Sequence, residues 1–434
     1  MADLAHPISD VSIQSLHCII TCTLISYNEI TTTADQRYVS EDAHDQYATR
    51  MLAAVSLGWA VLQFGRMLLS PLLPAIITDL GITEATAGIV LAAFQIVYAV
   101  TQYPSGEFSD QWTRATLIVP AFAVLVIGFA LFDIVNGLGM FVVAAVVTGI
   151  GKGLFSIPSR ALLSDLFTTN RGRALGIYAA GTDVGGIAAA GVATVTVTYA
   201  SWRTPFLPVA ILLGILATWY VFMNRERYAL ERTTLDIGGT VSGLIQHSRQ
   251  RETLIAFALF YFMVGGVVNF YPTYLTQTKD FSAELASLTF ALIFIVGLII
   301  KPSAGMLGDR LSRIGIAITG LLIAAVALSV VTVISTPIYI WIITSILAIG
   351  YKTGFPLADA IILDGAPSDG MGADLGAARA LFLGANAIGP AYVGIVATYA
   401  NYEIAFGGLA VCLLFAAGIL ARQRINSTDG VRAD

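Results

Sequence analysis

The sequence predicts an all-α membrane protein with twelve transmembrane helices, arranged as two pseudo-symmetric six-helix bundles. Three observations predict it: the composition, the number of long apolar runs, and a repeat between the two halves. Of 434 residues, 56% are hydrophobic and only 12% charged, with a mean hydropathy of +0.79. Soluble chains usually carry about 25% charged residues and keep a mostly wet exterior, so this much apolar surface needs a bilayer. A net charge of −5 without a basic run excludes nucleic-acid binding as a main role. Three cysteines, Cys18, Cys22 and Cys412, exclude a disulfide scaffold and lack metal-type spacing.

A membrane helix needs roughly 20 mostly apolar residues to cross about 30 Å of hydrocarbon. Twelve runs qualify: 51–77, 86–105, 115–134, 139–163, 174–199 and 204–223, then 253–277, 287–306, 314–334, 338–363, 378–400 and 404–421. They are continuous rather than alternating, which argues against strands. Pro158 and Pro356 are expected to interrupt the fourth and tenth runs. The domains follow: a polar tail over 1–50, a bundle over 51–223, a cytoplasmic linker over 224–252, a second bundle over 253–421 and a tail over 422–434. In the first tail, the weakly apolar run from Leu16 to Ser26 is too short to span and lacks the flank of a secretory signal. The tail reads as a disordered cytoplasmic segment or as an extension upstream of a start at Met51.

Orientation follows the cations. With both termini cytoplasmic, inner loops and the C-terminal tail hold fifteen of the 23 Lys and Arg, Arg160 among them, and outer loops hold two, Arg203 and Lys279. That bias predicts a multi-pass plasma-membrane protein with both ends inside.

The halves repeat. YPSGEFSDQWTR from Tyr103 follows the second span and KPSAGMLGDRLSR from Lys301 follows the eighth, aligning Gly106 with Gly305, Asp110 with Asp309 and Arg114 with Arg313. TYASWRTPF from Thr198 answers TYANYEIAF from Thr398, and Gly181, Gly186 and Gly191 answer Gly384, Gly389 and Gly394. Pro74 likewise answers Pro272. Such order indicates duplication of a six-helix unit.

These GxxxDRxxR-type loops in a six-plus-six arrangement resemble the major facilitator superfamily. The resemblance covers residues 51 to about 421 and extends to NRGRALGIYAAG after span four. The first loop departs in having Gln111 where the family usually has a basic residue, and span five has Ile187 where span eleven has Pro390. The resemblance implies alternating access, with spans one, four, seven and ten lining a central cavity. A carboxylate at a helix N-terminus beside an arginine makes a reversible latch. On that reading Gly106, Asp110, Arg114, Gly305, Asp309, Arg310 and Arg313 serve gating and touch no substrate.

Ionisable residues near the bilayer centre cost about 2.5 to 3.5 kcal/mol on insertion scales, so each needs a reason. Six stand out: Arg66, Lys152, Asp183, Lys301, Lys352 and Asp359. Three of the four lysines in the chain are among them. At about 1.5 Å per residue, Arg66 lies about 20 Å before Asp79 and Asp183 about 15 Å beyond Arg173, while Lys301 and Asp359 can reach toward the inner surface. The cavity helices implied by the resemblance carry Arg66, Lys152 and Lys352, an excess of cations that attracts an anion. Arg66 can grip a carboxylate or phosphate in two-pronged fashion, with the lysines as point charges. Arg66 before LLSPLLP resembles the organic-anion and phosphate-ester branches, and Lys301-Pro302 resembles the oxalate/formate and monocarboxylate porters. Asp183, which aligns with Asn386, and Asp359 are candidates for proton coupling; pairing of Asp183 with a cavity lysine is the competing reading. Gln63, Gln95, Tyr98, Gln102 and Tyr103, with Tyr261, Asn269, Tyr271 and Tyr351, are candidate cavity wall, or interhelical glue.

The expected function is secondary active transport of a small organic anion, coupled to H+ or Na+ or to counter-anion exchange, by a monomer in the lipid bilayer. A proton-coupled drug or metabolite efflux antiporter is the alternative, and a non-transporting sensor a remote one. No GxxxxGK[ST] loop occurs, so ATP is not the direct energy source, and no cofactor or metal is implied. All four histidines (His6, His17, His44, His247) lie outside the spans, which argues against an enzyme.

Overall fold

Apolar runs long enough to cross a bilayer become helices, because a helix satisfies every backbone hydrogen bond within itself. The computed structural model describes residues 45–228, 248–365 and 371–431. Among them are thirteen helices and no strand, and twelve helices are long and apolar enough to cross a membrane. Contacts divide the chain into residues 1–52, of which 45–52 are helical, and residues 53–434, which carry the remaining helices. In order they are α1 (Asp45–Leu68), α2 (Leu73–Leu80), α3 (Glu84–Gln111), α4 (Arg114–Asp133), α5 (Leu138–Leu166), α6 (Arg171–Tyr199) and α7 (Phe206–Met223). Then come α8 (Ser248–Thr278), α9 (Ala283–Arg310), α10 (Arg313–Val333), α11 (Pro337–Gly365), α12 (Met371–Tyr399) and α13 (Tyr402–Val431). Large apolar side chains such as Val100, Ile299, Val326 and Phe415 stay exposed, as a lipid-facing surface requires.

The first run, expected to be continuous over 51–77, is broken. Helix α1 starts earlier and stops at Leu68, residues 69–72 form turns, and α2 resumes at Leu73. Pro71 supplies no N–H to the carbonyl four residues back, whereas Pro74 sits at the start of α2, where no donor is needed. Gly81, in the left-handed region at φ 60°, ends α2. By contrast Pro158 and Pro356 interrupt nothing: α5 and α11 run straight through them, because neighbouring helices hold the chain in line. Helix α8 begins inside the expected linker, and α13 continues through most of the expected C-terminal tail.

Caps repeat between the halves. Thr83 accepts from the Thr86 N–H at the start of α3, and Ser282 accepts from the Leu285 N–H at the start of α9, each followed by a glutamate in the first turn.

The first six spans meet the last six along two seams, α3 against α12 and α6 against α9. Glycine sets the first seam, since a Cβ on Gly88 would strike the Pro390 carbonyl and one on Gly394 the Glu84 carbonyl. Near Asp79 and Lys279 the seams are stitched by polar bonds. The Ala85 N–H donates to Thr398 Oγ1 at 2.9 Å and Thr198 Oγ1 donates to Glu284 Oε1 at 2.8 Å; away from both seams, Ser70 Oγ in the turn after α1 donates to the Asn269 carbonyl of α8 at 3.2 Å.

Candidate functional site

Five helices bring charge into the interior. Arg66 stands in the last turn of α1, Lys152 on α5, Asp183 on α6, Lys301 on α9 and Lys352 on α11. Asp183, only 1% exposed, is the centre of a three-residue ionic group. Its Oδ1 accepts from Lys352 Nζ at 2.8 Å and its Oδ2 from Lys301 Nζ at 2.5 Å. Lys352 is buried, while the Lys301 side chain keeps 26% exposure. The pair crosses from the first half to the second, so the sequence alternative in which Asp183 neutralises a cavity lysine is the arrangement found. Two glycines make room. A Cβ on Gly297 would stand 2.8 Å from both Asp183 Oδ1 and Lys352 Cε, and one on Gly185 would stand 2.7 Å from the α1 backbone at Ala60 and Phe64.

A second group of cations has no carboxylate among the described residues. Arg66, 8% exposed, donates from Nη1 to Met67 Sδ at 3.1 Å, a weak acceptor. The break after Leu68 places it at the carbonyl end of α1, where a helix favours a cation. Lys152 is buried among rings, its Nζ 4.0 Å from the Tyr98 centroid, 5.5 Å from Phe94 and 6.0 Å from Trp59. Such faces stabilise an ammonium by about 0.5 to 2 kcal/mol. Arg160 lies over Trp59 and Tyr178, 5.7 Å from each. Arg160, expected among the inner-loop cations, lies within α5, which is unbroken at Pro158. Nothing in the sequence marks Trp59, Tyr178, Phe294 and Phe355 as neighbours of these charges, because aromatic residues in an apolar run carry no signal of which ring faces a cation.

The other candidates divide. Tyr98 faces Lys152 and its hydroxyl accepts from Gln102 Nε2 at 2.7 Å, so it belongs to the cation group. Tyr351 stacks its ring beside Lys352, 4.9 Å from Nζ. Gln95 Nε2 donates to Asn386 Oδ1 at 2.5 Å across the seam. Asn269 Nδ2 donates to the Gly265 carbonyl one turn back at 2.7 Å. Tyr271 bonds Thr344 at 2.5 Å and packs on Phe406, which places it in a helix core. Tyr261 stacks on Phe382 at 5.0 Å. Gln63 is buried with its Oε1 unbonded among the described residues. The side chains of Tyr103, Asp110, Asp309 and Asp359 lie outside the described residues.

In the loop signatures, positions 110 and 309 fall in the last turns of α3 and α9, not at helix N-termini; it is Arg114 and Arg313 that open the next helices. The dipole argument for a carboxylate at a helix start therefore does not apply. Arg114 instead bonds Asp165 at 3.0 Å and Ser109 at 2.7 Å, within one half. Gly106 approaches only Ile157, at 3.9 Å for a built Cβ, and Gly305 approaches nothing within 4 Å. Arg310 is exposed at the end of α9.

Outside the spans, Arg203 and Trp202 donate to Asp79 at 2.6 and 3.2 Å and hold its carboxyl below the usual range. Burial lowers the Lys279 ammonium from its ordinary value; it donates to the Thr332 carbonyl at 2.8 Å. No cluster of three or more metal-ligating side chains occurs among the described residues.

Comparison with known proteins fits this arrangement. The chain is 23% identical to the hexuronate transporter of Bacillus subtilis (strain 168), over 85% of this chain and 93% of that one. A probable sulfoacetate transporter of Cupriavidus necator is 24% identical over 61% and 65% of the two chains. Among solved structures, a bacterial homologue of the human lysosomal transporter Spinster, in an inward-facing and occupied conformation, superposes with a TM-score of 0.75 at 16% identity. That superposition covers 87% of this chain and 97% of that one. Residues 55–390, from the first span into the eleventh and through both loop signatures, match the family model described as Major Facilitator Superfamily, and the chain belongs to that family of transporters.

Proposed function

We propose that the protein is a secondary active transporter that carries a small organic anion across the plasma membrane by alternating access. The observation that carries this reading is the charge balance of the interior: Arg66, Lys152, Lys301 and Lys352 share it with one buried carboxylate among the described residues, Asp183, which only the last two contact. Cations held in a low-dielectric interior without enough counter-charge favour an anionic ligand, and a guanidinium suits a carboxylate or sulfonate best. Relatives named for a hexuronate and for sulfoacetate, both organic acids, support the same class. In this reading spans one to six and seven to twelve are the two moving bodies. The loop-signature ends and both termini are cytoplasmic, and the stitched Asp79 side is the closed outer gate. One chain carries a full pathway, so the monomer suffices. H+, Na+ or a counter-anion supplies the driving force, with Asp183 and its lysines as the coupling group.

The test is uptake into proteoliposomes of labelled carboxylates, phosphate esters, sulfonates and cationic dyes by wild type and Arg66→Gln. Expected is transport of an acid, with kcat/KM reduced about 100-fold or more in the variant at unchanged thermal stability, the scale of a lost charged two-pronged contact. Dyes carried equally well by both proteins would overturn the anion reading and favour efflux of drugs.

A further inference from the structure

We propose that Asp183 is a tethered stand-in for the second acidic group of a doubly charged substrate. Arg66 and Lys152 hold the first acidic group, and the second competes with Asp183 for Lys301 and Lys352. This rests on the anion reading above and names the substrate class: a small organic dianion, such as a dicarboxylate or a sulfo-carboxylate.

Each oxygen of Asp183 is taken by a different ammonium, at 2.8 and 2.5 Å. That is how a free carboxylate or sulfonate would sit between two lysines. The carboxylate arrives from α6, whereas both lysines belong to the second half. Lys301 is the accessible partner, with 26% side-chain exposure, so an incoming acid can reach it without first unpacking Lys352. Gly297 lets Asp183 Oδ1 and Lys352 Cε pack directly against the α9 backbone, where a Cβ would stand 2.8 Å from each. An ammonium has three donors, so the two lysines can serve a second acidic group while Asp183 loosens rather than leaves bare.

The first subsite holds no protein acid among the described residues. Neither Arg66 nor Lys152 has an acidic partner among the described residues, though both are more than nine-tenths buried. The two subsites meet where α6 packs on α1: Gly185, two residues after Asp183, lies against the backbone at Phe64, two residues before Arg66, and the Tyr351 ring is 4.9 Å from Lys352 Nζ. A monoanion satisfies the Arg66 side and leaves the Asp183 clasp untouched. A dianion engages both sides and weakens the ionic bond between the halves, which ties binding to the movement of the seam.

The experiment uses the full-length purified protein and calorimetric binding of two acids on one skeleton, glucuronate with one charge and glucarate with two. Acetate and sulfoacetate form a second pair. Wild type is expected to bind the dianion of a pair more tightly. Asp183→Asn removes the competitor and tightens the dianion about tenfold, while the monoanion changes less than about twofold. Lys301→Gln, at an accessible position, lowers dianion binding to the level of the monoanion and so erases the preference; it decides the matter alone should Asp183→Asn fail to fold. Equal shifts for both acids in Asp183→Asn, weaker dianion binding, or a preference that survives Lys301→Gln would overturn the proposal. Wild type that binds cationic dyes and no acid of either charge would instead overturn the anion reading on which it rests.

Discussion

Lys152 is buried with rings rather than carboxylates around it. Desolvating an ammonium is expensive, and the Tyr98 face at 4.0 Å offsets part of it. Tyr98→Leu is therefore expected to destabilise the purified carrier by about 1 kcal/mol and to raise KM. Tyr98→Phe keeps the ring, loses only the hydroxyl that accepts from Gln102, and should retain both properties. Leu and Phe variants with the same melting temperature and KM would sink the ring–cation account. At this scale the sequence was informative about which residues matter electrostatically and silent about their partners. Arg66, Lys152, Asp183, Lys301 and Lys352 each stand out as a charge in an apolar run. Which lysine meets Asp183 is not readable, because the pairs are 118 and 169 residues apart and no local period connects them. Polar residues such as Asn269 and Gln95 were ambiguous for a related reason: helical spacing gives a face, and the partner that occupies that face comes from elsewhere.

Most spans are legible in the sequence, since length and apolarity decide them, but the first, expected over 51–77, runs over 45–68, and the effect of each proline is not legible. Pro158 and Pro356 were expected to break helices and do not, whereas Pro71 breaks the first span with no sign of it in the hydropathy. The difference lies in the surroundings. Helices α5 and α11 continue through their prolines among packed neighbours, while Pro71 lies two residues before Leu73, the start of α2, and acts together with Pro74. In the second half Pro272 sits inside the unbroken α8. Pro71→Ala restores a donor to the turn at residues 69–72 and is expected to slow amide exchange across that segment. The longer helix moves its carbonyl end away from Arg66 and lowers the transport rate. Unchanged exchange would mean that Pro74 alone fixes the break.

Taken whole, the two halves are related by sequence but joined unequally. One seam is closed mid-helix by a neutral amide pair, Gln95 with Asn386, and the other by the Asp183 ion group, although Asp183 and Asn386 are counterparts in the repeat. Duplication thus leaves the scaffold symmetric and the chemistry one-sided. Its price falls on biosynthesis. The three least apolar of the twelve spans are those bearing Arg66, Asp183 and Lys352. During translation Asp183 enters the membrane 118 residues before Lys301 and 169 before Lys352. An isolated aspartate at mid-helix opposes insertion by about 2.5 to 3.5 kcal/mol. The nascent first half is therefore expected to remain incompletely inserted or chaperoned until the later spans emerge. Residues 1–223 expressed alone should be degraded, and Asp183→Asn should let the fragment accumulate in the membrane. Equal accumulation of both fragments would mean that the newborn helix finds shelter for its carboxylate before its lysines exist.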